Sequence, residues 1–162
     1  MNPKSYKILF LCTGNSARSI LGEYLIRVVA GDRFESYSAG ARPTGRINPI
    51  VLQVLRDSFK MDASGARSKS WEEFKAFSFD FVITVCDNAK ESCPVWPGQP
   101  IIAHWSSLDP AEFEGTDEEK LKATLQVALQ IKRRIELLAS LPLEKMERLK
   151  LQNAMRDIGS TQ

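Results

Sequence analysis

A single histidine, His104, and three cysteines, Cys12, Cys86 and Cys93, are all that the 162 residues offer as imidazole and thiol metal ligands. The interval from Cys86 to Cys93 is not that of a zinc knuckle, and adding His104 gives only an irregular set, so no metal is expected. An odd cysteine count in a chain too large to need disulfide staples leaves the thiols as candidates for chemistry or for simple burial. Charge of one sign is also missing: 22 basic against 20 acidic residues leave a formal +2. No basic cluster is long enough to follow a nucleic-acid backbone. The longest early apolar stretch, Ile8 to Cys12, falls far short of a bilayer span, and no signal-peptide layout precedes it. No membrane contact and a cytoplasmic location are therefore expected. Repeats and low-complexity segments are lacking as well.

What remains is an ordinary globular composition, 43% hydrophobic, enough for one domain with a real core. Tyr6 to Cys12 reads as a strand buried on both faces, because its apolarity is continuous rather than alternating. Ser16 to Ala30 carries Ile20, Tyr24, Leu25 and Val28 at helical spacing and closes at Gly31. Glu35 to Ala39 is a second strand, and Asn48-Pro49 opens a helix through Lys60. Ser70-Trp71-Glu72-Glu73 and Thr116-Asp117-Glu118-Glu119 both fit capping boxes, the first opening a short helix and the second a long one through about Ala139. Phe79 to Val85 and Pro100 to Trp105 supply two more strands. This alternation predicts an α/β fold, a single-domain doubly wound parallel sheet of about four strands with helices on both faces. Such sheets bind ligands beyond the carboxyl ends of their strands, where Cys12 and Cys86 both fall. Residues 1–140 are expected to form the catalytic domain and 141–162 a C-terminal helical extension. In the latter, Leu143 to Met155 carries Leu143, Met146 and Leu149 at three-residue steps, as an edge helix or a partner-binding helix would.

Cys12-Thr13-Gly14-Asn15-Ser16-Ala17-Arg18-Ser19 places a cysteine and an arginine at either side of five residues, in a loop between strand and helix. Backbone N–H groups of such a loop can converge on a tetrahedral anion, the helix N-terminus adds positive potential, and Arg18 supplies a planar fork for two oxygens. The same field is expected to hold Cys12 as a thiolate, with Ser19 donating to its sulfur. A Walker phosphate loop is excluded, since no Gly-Lys-Ser/Thr follows Gly14 at the required distance. The ligand is a free oxyanion or a monoester.

The segment Ile8 to Glu23 resembles the active-site loop of the low-molecular-weight protein tyrosine phosphatases and of the arsenate reductases that share their fold, over roughly residues 6 to 140. The resemblance implies Cys12 as nucleophile, Arg18 as oxyanion clamp, Asn15 as loop-shaping residue and Ser19 as thiolate partner, with Ser38-Ala39-Gly40 as the strand end that supports the loop. The segment Val85 to Gly98, with Cys86 and Cys93, resembles the paired-cysteine loop of thioredoxin-coupled arsenate reductases. That likeness implies reduction of arsenate, with phosphate as an analogue, through a Cys12/Cys86/Cys93 disulfide relay regenerated by thioredoxin or a similar dithiol protein, and no cofactor. Asp109, followed by Pro110, is by resemblance the general acid; otherwise it caps a turn. Tyrosine phosphatases typically place aromatic residues after that pair, whereas Ala111-Glu112 follows here, which favours a small inorganic substrate. Some family members also bind potassium beside the loop with a later Asp; near that position this chain reads Arg67-Ser68-Lys69-Ser70, so no potassium site is assigned. Glu23 reads as a helix-surface residue or a structural hydrogen-bond partner, and His104 as a packed or surface residue. The alternatives are a phosphotyrosine phosphatase using Cys12, Arg18 and Asp109 alone, or a non-catalytic oxyanion binder or thiol redox sensor.

Overall fold

A computed structural model describes residues 5–87 and 93–161. Four parallel strands, β1 (Tyr6–Cys12), β2 (Phe34–Gly40), β3 (Phe81–Thr84) and β4 (Ile101–His104), pair in the order β2-β1-β3-β4. In β1, Ile8, Leu9, Phe10 and Leu11 are all fully buried. Successive side chains point to opposite faces, so both faces of the central strand are covered, as the continuous apolar run requires. Among the described residues the flanking helices are α1 (Arg18–Ala30), α2 (Pro49–Phe59), α3 (Asp117–Ala139) and α4 (Arg148–Gly159). α1 packs against β2 and α3, and α4 lies along β4. The expected single α/β unit with a parallel sheet of four strands is what the chain forms. Among the described residues, no helix is long and apolar enough to cross a membrane.

Asn48 caps α2, accepting the Ile50 N–H at 2.9 Å ahead of Pro49. Thr116 and Glu119 form the full reciprocal box at the start of α3. The Ser70 box is only half made: Ser70 accepts the Glu72 N–H, but Glu73 turns away to a paired contact with Arg67, and the segment Trp71–Phe74 winds as a 3-10 helix. β3 is shorter than the apolar run around it, because Phe79 leaves the ladder for a cluster with Tyr37, Phe74, Phe77 and Trp96. The last helix is shifted from its expected position. Three-residue steps from Leu143 match a 3-10 turn, found at Leu143–Lys145, whereas α4 begins at Arg148 and buries Met155 and Ile158, leaving Leu149 72% exposed.

α4 acts as an edge helix folded onto the chain's own core. The Trp105 indole donates to the Met155 carbonyl at 2.9 Å, and Gln152 donates to the Ile102 carbonyl at 2.8 Å. Gly159 comes so near the strand that an added Cβ would lie 2.4 Å from the His104 carbonyl oxygen.

Candidate active site

Residues 13–17 are a loop between β1 and α1, the helix starting at Arg18 rather than at Ser16. Four carbonyls, of Cys12, Thr13, Gly14 and Ser16, are turned outward to supporting chain. Ala41 N–H donates to Cys12 O at 3.2 Å, Arg42 to Thr13 O at 2.9 Å, Thr44 to Gly14 O at 3.0 Å and Asn48 to Ser16 O at 2.9 Å. The Ser68 hydroxyl adds a second bond to Gly14 O at 3.0 Å. A peptide with its carbonyl fixed outward directs its N–H the other way, so these peptides turn their donors to the inner side of the loop, where the Asn15 N–H meets Cys12 Sγ. Ala17, at the N-cap of α1, offers no side-chain cap, which leaves first-turn N–H groups for a ligand. Two glycines make the curvature possible. A Cβ on Gly14 would meet Thr44 Cγ2 at 3.1 Å, and one on Gly40 would meet the Thr13 carbonyl oxygen at 2.5 Å.

Cys12 Sγ lies 2.8 Å from Ser19 Oγ and accepts the Asn15 N–H at 3.1 Å. Asn15 sits at φ 47°, in the left-handed region where asparagine is among the few tolerated side chains. Its Oδ1 accepts the Lys69 N–H at 2.9 Å, and its Nδ2 donates to Ser19 Oγ at 2.8 Å and Ser38 Oγ at 3.0 Å. Ser38 in turn donates to Glu23 Oε1. Glu23, 7% exposed, is the structural hydrogen-bond partner of the two readings open to it. The expectation of a Cys12 thiolate at rest is corrected. Burial pushes the thiol up from its ordinary value, outweighing the bonds from Ser19 and Asn15 that pull it down, with a smaller upward push from Cys86. Moving an anionic sulfur out of water is the larger effect at a site only 3% exposed.

Arg18 leans across to the loop after β4: Nη1 donates to the Ser107 carbonyl at 3.0 Å and Nη2 lies 3.4 Å from Asp109 Oδ2. Asp109 also accepts the Ala111 N–H at 3.0 Å, so it caps the Pro110 turn and faces Arg18 at once. Cys86 is buried at the end of β3, its Sγ 3.3 Å from the Thr13 hydroxyl. Cys93 is half-buried with its Sγ toward the Pro94 carbonyl, 3.7 Å away; burial pushes its thiol up and the Trp96 indole draws it down. All three cysteines are free thiols. Asn88 to Ser92, between the two later cysteines, lie outside the described residues. The fold thus gathers Cys12, the 13–19 loop, Cys86 and Asp109, with Cys93 further along the same segment. A groove of about 370 Å³ opens beside Ser16, lined by Ile47, Asn48, Pro110 and Phe113 among others.

Three contributors were not assigned from sequence. Ser107 offers a backbone carbonyl, which no side-chain pattern reveals. His104 bonds Thr84 through Nδ1 at 2.8 Å and Asp87 through Nε2 at 2.9 Å, tying the residue after Cys86 to β4. Lys69 lies behind the loop, and the only signal for it was a basic residue near the position where some family members carry the potassium-binding Asp.

The model of the low-molecular-weight phosphotyrosine protein phosphatase family matches residues 7–147. An arsenate reductase of Oceanobacillus iheyensis is 36% identical over 132 residues, which is 82% of this chain and 94% of that protein. Among solved structures, an arsenate reductase from Archaeoglobus fulgidus superposes with a TM-score of 0.66 at 28% identity, covering 83% of this chain and 99% of the other. A thioredoxin-dependent arsenate reductase of Corynebacterium glutamicum gives 0.60 at 26% identity, covering 85% of this chain and 65% of that one. By sequence and by fold, the chain belongs to the low-molecular-weight phosphotyrosine protein phosphatase family.

Proposed function

We propose that the protein is an arsenate reductase in which Cys12 is the nucleophile and Cys86 and Cys93 carry the oxidising equivalents away. The observation that carries this reading is the Cys86 thiol, 3.3 Å from the hydroxyl of the residue after the nucleophile. A phosphatase has no use for a second thiol there. The similarity to named arsenate reductases over nearly their whole length supports the same conclusion.

Arsenate enters the cradle with its oxygens toward the loop N–H groups and the Arg18 fork. Cys12 Sγ attacks arsenic; one arsenate oxygen leaves as water, taking the thiol proton, with Asp109 as the carboxyl beside Arg18 that can relay it. Cys86 Sγ then attacks Cys12 Sγ. A sulfur–sulfur bond forms, the sulfur–arsenic bond breaks, and its electron pair stays on arsenic, which leaves as arsenite with the Cys86 proton. Cys93 attacks Cys86 next, its proton restoring the Cys12 thiol. A dithiol protein reduces the Cys86–Cys93 bond, as the thioredoxin dependence of the Corynebacterium relative suggests for a fold neighbour. In this reading residues 1–140 are the catalytic unit and 141–162 its extension.

The test is single-turnover arsenite release by the pre-reduced protein given arsenate without reductant, with the disulfides mapped by mass spectrometry. One arsenite per chain and a Cys86–Cys93 bond are expected, whereas Cys86→Ser should retain thiols at Cys93 and release no arsenite. Three free thiols, no arsenite and rapid hydrolysis of an aryl phosphate would hand the site to a phosphatase.

A further inference from the structure

Lys69 is a buried cation that the loop and the cysteine chemistry leave without a role. Only 8% of it is exposed. Its ammonium has three hydrogens, and three acceptors surround it: Ser38 Oγ at 3.2 Å, the Arg67 carbonyl at 3.1 Å and Glu23 Oε1 at 3.6 Å. Its main chain is fixed as well, the carbonyl accepting the Gly40 N–H and the N–H donating to Asn15 Oδ1, each at 2.9 Å.

Around Asn15 and Ser38 the donors can point only one way. A backbone N–H cannot accept, so the Asn15 atom facing Lys69 is its oxygen, and both amide hydrogens of Asn15 go to Ser19 and Ser38. Ser38 receives from Asn15 and from the Lys69 ammonium, which turns its single proton to the Glu23 carboxylate. Ser19, with a lone pair taken by Asn15, has its own proton free for the Cys12 sulfur 2.8 Å away. We infer that Lys69 is a positioning residue for the nucleophile: its backbone N–H sets the sense of the Asn15 amide, and its ammonium, bonded to Ser38 Oγ and facing the Glu23 carboxylate, keeps the Ser38 proton on Glu23 so that Ser38 reinforces that sense, holding the Ser19 hydroxyl against Cys12 Sγ.

This rests on Cys12 being the reactive thiol, but not on the identity of its substrate. The charged groups around Lys69 are Glu23 and Arg27 from α1, which pair at 2.8 Å, and Arg67 and Glu73 from its own side. Burial draws the Lys69 ammonium down from its ordinary value, and Glu23 opposes that pull. Arg27 already meets the other carboxylate oxygen of Glu23, so loss of Lys69 leaves that carboxylate half-paired rather than bare.

The test is iodoacetamide labelling of the reduced full-length protein across pH 6–11, with the Cys12 peptide quantified by mass spectrometry. In Lys69→Met the labelling profile should move to higher pH by about one unit, so that at a fixed pH below the midpoint Cys12 reacts about tenfold more slowly. If Lys69→Met does not fold, the Lys69→Met/Glu23→Gln double variant, which leaves no unpaired buried carboxylate, should show the same displacement. A lysine that merely neutralises Glu23 would lower the melting temperature and leave the profile where it was, and superimposable wild-type and variant profiles overturn the inference. Because labelling needs no arsenate, a displaced profile in a protein that releases no arsenite would sink the reductase reading alone.

Discussion

Cys12 accepts the Asn15 N–H and shares a hydrogen bond with Ser19, and still has its thiol raised by burial, and that balance has a direction that can be measured. The folded state holds the proton more tightly than the unfolded chain does, from an ordinary value of 9.0. This preference therefore contributes stability that is fully present below the ordinary value and is lost as pH climbs through the raised one. Wild type should lose more stability than Cys12→Ser between pH 8 and 11 in denaturant titrations; parallel losses would mean the sulfur is not desolvated as described. Cys12, Arg18 and Ser19 were legible in the sequence because an eight-residue loop carries its chemistry in local order. Lys69 was not, because its meaning comes from Glu23, Ser38 and Asn15, contributed by three separate segments. The charge state of Cys12 was misread for the same reason: helix and arginine are visible locally, whereas depth of burial belongs to the assembled site.

The cradle depends on the strand beside it as much as on its own residues, since β2 ends at Gly40 directly under the Thr13 carbonyl. Gly40→Ala would set a Cβ 2.5 Å from that oxygen and 3.0 Å from the Asn15 nitrogen, both of them backbone atoms that cannot swing aside. Displacing the loop by even part of an ångström should lower kcat by up to about 100-fold, with a smaller effect on melting temperature. Unchanged single-turnover rates would show that the loop tolerates the shift. At this scale the sequence spoke clearly where a pattern had one meaning, as with Thr116 and Glu119 capping α3. It misled where two periods overlapped: Leu143, Met146 and Leu149 repeat every third residue, which fits a 3-10 turn, while the helix that follows buries Met155 and Ile158. Ser70 likewise satisfied the spacing of a capping box, but Arg67 was a stronger partner for Glu73 than a backbone N–H.

The molecule is organised around one sheet whose central strand was plain from its apolar run and whose outer strand is completed from the far end of the chain. Met155 is fully buried on the inner face of α4, so Met155→Ala should cost about 2–5 kcal/mol of unfolding free energy. Activity per folded molecule should be preserved, because the cradle is built from other segments; a fall in single-turnover rate without a fall in stability would contradict that separation. The family model ends at residue 147, just where this helix starts.

The bond from Gln152 to the Ile102 carbonyl and the 3.4 Å contact of Arg148 with the Pro100 carbonyl have a further result. β4 is the last strand of the sheet, and its outward carbonyls would otherwise offer a template to any extended peptide. α4 occupies that rim with side-chain donors that cannot propagate a ladder. Local melting of a dozen residues, far too small an event to disturb Cys12, would uncover a sticky seam, so clumping of the protein should set in ahead of loss of its chemistry.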